Sequence, residues 1–163
     1  MTEKEKVLFL LKKLDIPYDI YHHPPLPTIE IAVEYWKSIN ATHCKNLFFR
    51  NHKGNRHYLV ILKHDQALGI HDLEKRLRQG KISFASPKRM EKYLGVDAGS
   101  VSVFGLINDY ENHVYVFIDE NIRHSEKVSF HPNDNTSTVV ISFADFIKFL
   151  DNSGNSYELI TLY

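Results

Sequence analysis

Hydrophobic and polar positions along the chain follow a helical period in some segments and a strand period in others. Apolar residues recur at helical spacing from Val7 to Leu14, which predicts a first helix. Thr2 and Glu5 form a capping box at its start, and Pro17 ends the pattern. The same reasoning predicts four further helices: one that Thr28 begins, one over about Asp72–Arg78 that closes at Gly80, one from Ser86-Pro87 to Gly95, and one over Phe143–Leu150.

Apolar β-type runs lie between these helices. Two of them are joined by the hairpin signal Asn51–Asn55, and the proline-rich segment His23–Pro27 predicts a bend. Helices and strands are interspersed, and both hairpins and helices connect the strands. This favours a mixed-sheet α/β or α+β domain over a sandwich or a helix bundle. The predicted strands are Tyr18–His22, Cys44–Arg50, His57–Leu62, His113–Ile118, Thr138–Ser142 and Tyr157–Leu162.

Composition sets the class of protein. The chain has 163 residues, of which 43% are hydrophobic and 25% charged, as in one average globular domain spanning 1–163. No apolar run approaches the roughly 20 residues of a membrane helix, and we expect no signal peptide. A single cysteine, Cys44, excludes an internal disulfide framework and predicts a reducing, cytoplasmic setting.

The net charge of zero hides an asymmetry along the chain. Residues 37–92 carry 13 Lys and Arg against 4 Asp and Glu, whereas residues 96–163 carry 3 against 10. A basic stretch in a neutral protein is a possible footprint for a polyanion, although closeness in sequence does not place these cations on one face.

Several common catalytic designs are absent from the sequence. The ten histidines form no zinc-binding spacing, and Cys44 has no cysteine partner. The chain has no Gly-x-Ser-x-Gly elbow, P-loop or dinucleotide fingerprint, so we predict neither a metal nor a cofactor. Cys44 is a candidate nucleophile beside Lys45, but neighbours on a strand point to opposite faces. A small buried core cysteine is therefore the preferred interpretation.

Two features remain as candidate chemistry. Lys45-Asn46 opens an otherwise apolar strand, where the lysine either snorkels at the strand end or points its charge into an anion pocket. The loop Gly99–Val103 contains successive backbone N–H groups that can stabilise a developing oxyanion without a side-chain catalyst.

Taken together, these segments resemble the YbaK-type aminoacyl-tRNA editing domain family, and within it the free-standing, alanyl-specific ProX/PrdX type. The resemblance covers nearly the whole chain in order. Lysine followed by asparagine, together with the Phe-His-Pro segment, indicates the alanyl-specific type. The segments that carry it are Tyr21-His22-His23-Pro24 with Thr28, Lys45-Asn46-Leu47-Phe48, Tyr58-Leu59-Val60, Ser83-Phe84-Ala85-Ser86, Tyr93-Leu94-Gly95-Val96, Gly99-Ser100-Val101-Ser102, Phe104-Gly105-Leu106, Phe130-His131-Pro132 with Asn135 and Thr138, and the Phe146–Leu150 helix.

The resemblance implies a mixed, mostly antiparallel sheet or partial barrel surrounded by helices. It implies hydrolysis of alanine wrongly esterified to proline tRNA, with aminoacyl-tRNA as partner, prolyl-tRNA synthetase as a possible second partner, and no membrane. The basic stretch then becomes a face for the acceptor stem. The roles carried over by position are tRNA contact for Lys45 and Asn46, ester placement by the backbone of Gly99, Ser100, Val101, Ser102 and Val103, and a substrate pocket at His131, Phe130, Thr28 and Phe104.

Two alternative functions stay open, and a departure from the family is the only hint for the second of them. The family loop reads Gly-x-x-x-Pro, whereas the fifth position here is Val103, which lacks the fixed φ of proline and has an N–H. One alternative is a sister enzyme that acts on cysteine or serine esters. The other is a non-catalytic tRNA or nucleic-acid binder that has lost turnover.

Overall fold

The computed structural model describes residues 1–25 and 28–162, without the side chain of Ile29. Leu26 and Pro27 of the predicted bend therefore lie outside the described residues. Five helices and eight strands are described. The helices are α1 (Glu3–Lys13), α2 (Ile29–Trp36), α3 (Ile70–Leu77), α4 (Pro87–Leu94) and α5 (Phe143–Ser153); the strands are β1 (Asp19–His22), β2 (Thr42–Arg50), β3 (His57–Lys63), β4 (Ser83–Phe84), β5 (Tyr115–Asp119), β6 (Lys127–Phe130), β7 (Ser137–Ser142) and β8 (Tyr157–Ile160).

The predicted N-caps of four helices are confirmed. The hydroxyls of Thr2, Thr28, Ser86 and Ser142 each accept a hydrogen bond from the backbone N–H three residues later, which satisfies one of the free donors at each helix start.

The end of α3 differs from the prediction. Arg78, rather than Gly80, is the C-cap residue, and it adopts the left-handed conformation at φ 53°. α3 also begins at Ile70, two residues before the predicted start. Its N-cap residue is Gly69, which has no side chain to signal the start in the sequence. The 3-10 segment Val103–Asn108 and strand β6 were not predicted.

The strands form one mixed, open sheet. Its order is β1-β7-β6-β2-β3-β5-β8, with β4 beside β2. Among the described strand pairs, β2–β3, β2–β4, β1–β7 and β6–β7 are antiparallel, whereas β2–β6, β3–β5 and β5–β8 are parallel. The expectation of a mixed, mostly antiparallel sheet is confirmed, and the sheet does not close into a barrel.

Strand β2 joins the two halves of the sheet. One edge of β2 pairs with β3 from Cys44 to Arg50. The other edge pairs with β6 at Thr42–His43 and with β4 at Phe49–Arg50. The residues between, 44–48, pair with no strand on that edge in the described part of the chain, so the sheet has a gap there.

The core occupies both faces of the sheet, and β3 shows why. Leu59 and Ile61 face the larger cluster, which α1, α4 and α5 cover. Val60 and Leu62 face a smaller cluster with α3. Because side chains alternate along a strand, one nearly continuous apolar run supplies both clusters, as expected of a strand buried on both sides.

Gly105 lets the Val103–Asn108 segment pack closely against α4. A Cβ at this position would lie 2.8 Å from the Leu94 Cβ and 3.0 Å from the Leu94 backbone oxygen. We expect Gly105→Ala to lower the free energy of unfolding in urea by roughly 1–3 kcal/mol, because overpacking forces the backbone to shift.

The matched control is Gly99→Ala. A Cβ at Gly99 would meet only Asn135 Nδ2, at 3.4 Å, so we expect a change of at most about 0.5 kcal/mol. Equal losses in the two variants would contradict the packing explanation.

Candidate functional site

A cavity of about 370 Å³ opens at the gap in the sheet. Its wall comes from four parts of the chain: α2 with its N-cap, the segment of β2 that is unpaired on one edge, the 3-10 turn Ala98–Ser100 with the residue after it, and the residue that follows β6. Six residues that the sequence predicted for the site meet here, namely Thr28, Lys45, Asn46, Gly99, Val101 and His131. The remaining lining residues are Ala32, Trp36, Cys44, Leu47 and Ala98.

Five other predicted site residues do not line this cavity. Phe104 and Phe130 are buried in the larger core cluster, where their rings meet edge to face at 5.9 Å. Ser100, Ser102 and Val103 are also buried. The structure therefore places these residues behind the wall, where they support the loop that carries Gly99 and Val101.

Lys45 supplies the cavity with a positive charge. It is half-buried and pairs with Leu62 across the sheet. Among the described residues, no carboxylate forms an ion pair with it. A cation without a protein counter-ion at the mouth of a cavity is suited to bind a phosphate or carboxylate.

His131 supplies a neutral imidazole. Its Nδ1 lies 3.2 Å from the Ser137 carbonyl oxygen. Because a carbonyl oxygen only accepts, Nδ1 carries the proton and Nε2 keeps its lone pair. Burial lowers the pKa of His131 below its usual value, so the ring is an uncharged hydrogen-bond acceptor at neutral pH.

Cys44 borders the cavity beside Lys45, although the alternation of strand neighbours predicted that the two would diverge. The cavity surrounds the free edge of β2, so consecutive residues reach it. The thiol is nevertheless a buried core group that donates weakly to the Thr42 carbonyl oxygen at 3.6 Å. Burial raises the pKa of Cys44 to about 12, which keeps the thiol protonated and a poor nucleophile.

Two backbone N–H groups at the cavity have no acceptor within their own turn. Ser100 N–H donates to the Asp97 carbonyl oxygen at 3.0 Å, and this is the first bond of the turn. The N–H groups of Ala98 and Gly99 precede it, as at any helix start. Gly99 is not among the residues with positive φ, so a left-handed backbone does not explain a glycine here. The missing side chain instead allows a ligand to approach the Gly99 backbone closely.

Asn46 ties this loop to β2. Its Oδ1 accepts a hydrogen bond from Val103 N–H at 3.1 Å. The sequence predicted that Asn46 contacts tRNA. In the structure, its side-chain oxygen also holds the Gly99–Val103 loop against β2. The valine that departs from the family pattern supplies the N–H that this contact requires.

Trp36 is a cavity residue that the sequence placed only on the apolar face of a helix. Thr28, Ala32 and Trp36 recur every four residues, so they share one side of α2. The indole stacks on His43 with ring centroids 4.7 Å apart and 4° between the planes. The four-residue spacing was the available signal, but it did not distinguish a core face from a cavity wall.

Within residues 1–25 and 28–162, no group of three or more His, Cys, Asp or Glu side chains could hold a metal ion. No described helix is both long enough and apolar enough to cross a bilayer.

Comparisons with known proteins agree on one family. The sequence profile of the aminoacyl-tRNA editing domain matches residues 23–149. Prolyl-tRNA editing protein ProX of Acetoanaerobium sticklandii is 39% identical over 163 residues, covering 99% of each chain. Prolyl-tRNA synthetase associated domain-containing protein 1 of Bos taurus is 31% identical over 149 residues, covering 89% of this chain and 86% of that protein.

Solved structures show the same fold. A crystal structure described as that of a candidate trans-editing enzyme for prolyl tRNA synthetase matches with a TM-score of 0.73 at 16% identity, covering 100% of this chain and 99% of that chain. The hypothetical protein APE2540 matches with a TM-score of 0.72 at 16% identity, covering 93% of this chain and 96% of that chain.

We expect Val103→Pro to lower the free energy of unfolding. The backbone suits proline, because Ser102 is extended at φ −154° and ψ 154° and Val103 is the first residue of a helical segment. Proline nevertheless removes the N–H and leaves the Asn46 oxygen without its donor, at a cost of about 1–3 kcal/mol. That cost exceeds the roughly 0.4–1 kcal/mol gained from a stiffer unfolded chain.

The control is the same substitution in an Asn46→Ala background, measured by urea denaturation. There the hydrogen bond is already absent, and we expect Val103→Pro to be neutral or stabilising. An identical cost in both backgrounds would show that the Asn46–Val103 bond does not hold the loop.

Proposed function

The chain belongs to the aminoacyl-tRNA editing domain family, and from this we propose that it hydrolyses the ester that links alanine to wrongly charged proline tRNA. The observation that carries the proposal is the meeting of Lys45, Gly99 and His131 around one cavity. These residues come from three distant segments, and their chemistry matches the three parts of the substrate. We place this activity in the cytoplasm and propose prolyl-tRNA synthetase as the source of the mischarged tRNA.

The reaction needs no protein nucleophile. Water adds to the ester carbonyl carbon, the bond to the ribose oxygen breaks, and that oxygen takes a proton, which gives free alanine and tRNA. The oxyanion that forms on the way requires hydrogen-bond donors, and the Ala98 and Gly99 N–H groups at the cavity support that role. Cys44 takes no part, because its thiol stays protonated.

The need for such an enzyme follows from the energetics of discrimination. A proline pocket cannot strongly reject a smaller amino acid, since each missing methylene costs only about 1–3 kcal/mol. A second site that hydrolyses only the smaller product solves this problem. The cavity wall supports such a sieve, because the Trp36 ring stacks on His43. This stacking resists the movement of the ring that a larger amino acid would require.

Lys45 and His131 fit the two charged parts of the substrate. The Lys45 ammonium forms no ion pair with any described carboxylate and suits a phosphate near the 3′ end of the tRNA. The α-ammonium of alanine has three donors and no acceptor, and the neutral His131 Nε2 offers it a lone pair. Asn46 supports both sites indirectly by holding the loop through Val103.

The deciding experiment is a release assay on proline tRNA charged in turn with alanine, serine and cysteine. We expect fast release of alanine and much slower release of serine and cysteine. Preferred release of cysteine or serine would identify a sister editing enzyme. Tight tRNA binding without any release would identify a non-catalytic binder.

We expect Lys45→Ala to reduce deacylation about tenfold or more, because losing a charged hydrogen bond in a desolvated site costs about 1.5–3 kcal/mol. The fold should be unaffected, since the ammonium forms no ion pair within the described part of the chain. The matched control is Lys12→Ala on α1, which removes an exposed charge far from the cavity. Equal rates for Lys45→Ala and the wild type would contradict the role of Lys45.

We expect His131→Ala to slow alanine release and to admit larger esters, because the substitution opens the cavity and removes the acceptor for the α-ammonium. The measurement is the ratio of alanine to serine release in the variant and in the wild type. His131→Asn serves as control, since it restores part of the lost volume and a hydrogen-bonding group. An unchanged ratio in His131→Ala would remove His131 from the substrate pocket.

A further inference from the structure

A second groove lies at the hairpin end of the β2–β3 pair, away from the editing cavity. It encloses about 560 Å³, and Arg56, Tyr58, Arg78 and Gln79 are among its lining residues. Tyr58 pairs with Phe49 on β2 and with Tyr115 on β5, so the groove sits at the start of β3. Nothing in the editing reaction described above uses these residues.

Local hydrogen bonds bring the arginines together. Asn51 Oδ1 accepts from Arg56 N–H at 3.0 Å, and Asn51 Nδ2 donates to Gln79 Oε1 at 3.5 Å. The left-handed Arg78 ends α3 and turns the chain toward the hairpin, where His52 N–H donates to the Gln79 carbonyl oxygen at 3.4 Å. Because the side-chain oxygen of Gln79 is engaged, its NH₂ group is the part left for a ligand.

The one carboxylate among the groove's lining residues is already engaged. Glu158 accepts from Arg76 Nη2 at 2.7 Å and from the Tyr115 hydroxyl at 2.6 Å. Arg56 and Arg78 have no ion pair among the described residues. The groove therefore keeps two positive charges that the protein does not neutralise.

Tyr58 adds a buried hydroxyl that lacks a partner. The residue is 4% exposed, and its hydroxyl has no hydrogen bond within the described part of the chain. Burial raises the pKa of Tyr58, so the hydroxyl remains a donor. Buried polar groups in native proteins are normally satisfied, and an unsatisfied one beside free arginines indicates a ligand with acceptor oxygens.

We propose that this groove binds a phosphate of the tRNA acceptor stem, with Arg56, Arg78, Gln79 and Tyr58 as donors. This inference rests on the proposed editing function and adds a second contact for the same substrate. A phosphate oxygen has only lone pairs to offer, and every free polar group named here donates. Arginine is well matched to such oxygens because its planar fork donates two parallel hydrogen bonds.

The separation of the two sites requires a ligand that extends beyond its terminal nucleotide. Lys45 and Phe49 are four residues apart on β2, which is about 13 Å at 3.3 Å per residue, and β5 lies two strand spacings, or about 10 Å, to the side. A single terminal nucleotide cannot reach across both. The acceptor stem continues from the 3′ end and can do so.

The surrounding charge agrees with a nucleic acid. The segments at this end of the molecule, 50–56, 76–81 and 88–92, carry nine Lys and Arg and one acidic residue, Glu91. Arg89 Nη1 donates to the Gly54 carbonyl oxygen at 2.8 Å, which joins α4 to the hairpin. The basic stretch seen in the sequence is thus brought partly to one end of the fold, and such a surface attracts RNA in a salt-dependent way.

The test compares two alanyl substrates, full-length proline tRNA and, as the fragment, its terminal alanyl-adenosine alone. The fragment fills the cavity but cannot reach the groove. For the double variant Arg56→Gln/Arg78→Gln, we expect kcat/KM on the full tRNA relative to the fragment to fall about tenfold. The slope of log affinity for tRNA against log salt should decrease by about 2, one unit for each lost phosphate contact.

Two further variants test the assignment. Lys12→Gln/Lys13→Gln removes the same charge from exposed positions on α1 and should leave both the ratio and the slope unchanged. Tyr58→Phe removes only the hydroxyl and should weaken tRNA binding by about threefold, the effect of one ordinary hydrogen bond. Urea denaturation of each variant establishes that it is folded.

The results separate this proposal from the proposed function. If the wild type releases alanine from both substrates and the double variant keeps the wild-type ratio and slope, the groove proposal is overturned while editing stands. If the wild type releases no alanine from either, the editing function fails. Competition at the groove by inorganic phosphate or polyglutamate as strong as that by tRNA would also overturn an RNA stem as the ligand.

Discussion

The gap on one edge of β2 is the constraint on which the site depends. A strand has only two edges, and β2 pairs with β6 near its start and with β4 near its end on the same edge. Between them, residues 44–48 pair only on the β3 edge, and the cavity lies at this gap in the sheet. Consecutive side chains of β2 can therefore reach that cavity. On a strand paired along both edges, they would point to opposite faces of the sheet.

The loop opposite this gap is held from both sides. On the cavity side, Asn46 binds the Val103 N–H. On the core side, Phe104 is fully buried, and Gly105 sits against Leu94 with no room for a side chain. In the proposed reaction, the amides of this loop stabilise a transient negative charge, and such amides work best when they are in place before the charge appears. The buried residues behind the loop supply that rigidity.

Much of this arrangement was predictable from sequence, and the failures have specific causes. The helix caps were found because a hydroxyl three residues before a free N–H is a local signal. Lys45, Gly99 and His131 line one cavity, and their roles stay predictions that came from an ordered resemblance, since no local rule joins residues so far apart. Phe104 and Phe130 were assigned to the pocket but lie in the core, because sequence adjacency to a site residue does not reveal which way a ring points. The groove at the hairpin could not be predicted from the sequence, since its shape depends on the conformation of Arg78 at the end of α3.

The pairing of β1 with β7 has a consequence for how the protein is made. Asp19 lies opposite Val140, so the first strand finds its place only after most of the chain exists. His131 directly follows β6, so it is synthesised long after Lys45. Long-range pairings of this kind carry a loop-closure cost before any contact repays it, and they slow folding relative to helical bundles. A chain still emerging from the ribosome therefore contains Lys45 before the segments that complete the cavity wall have been made.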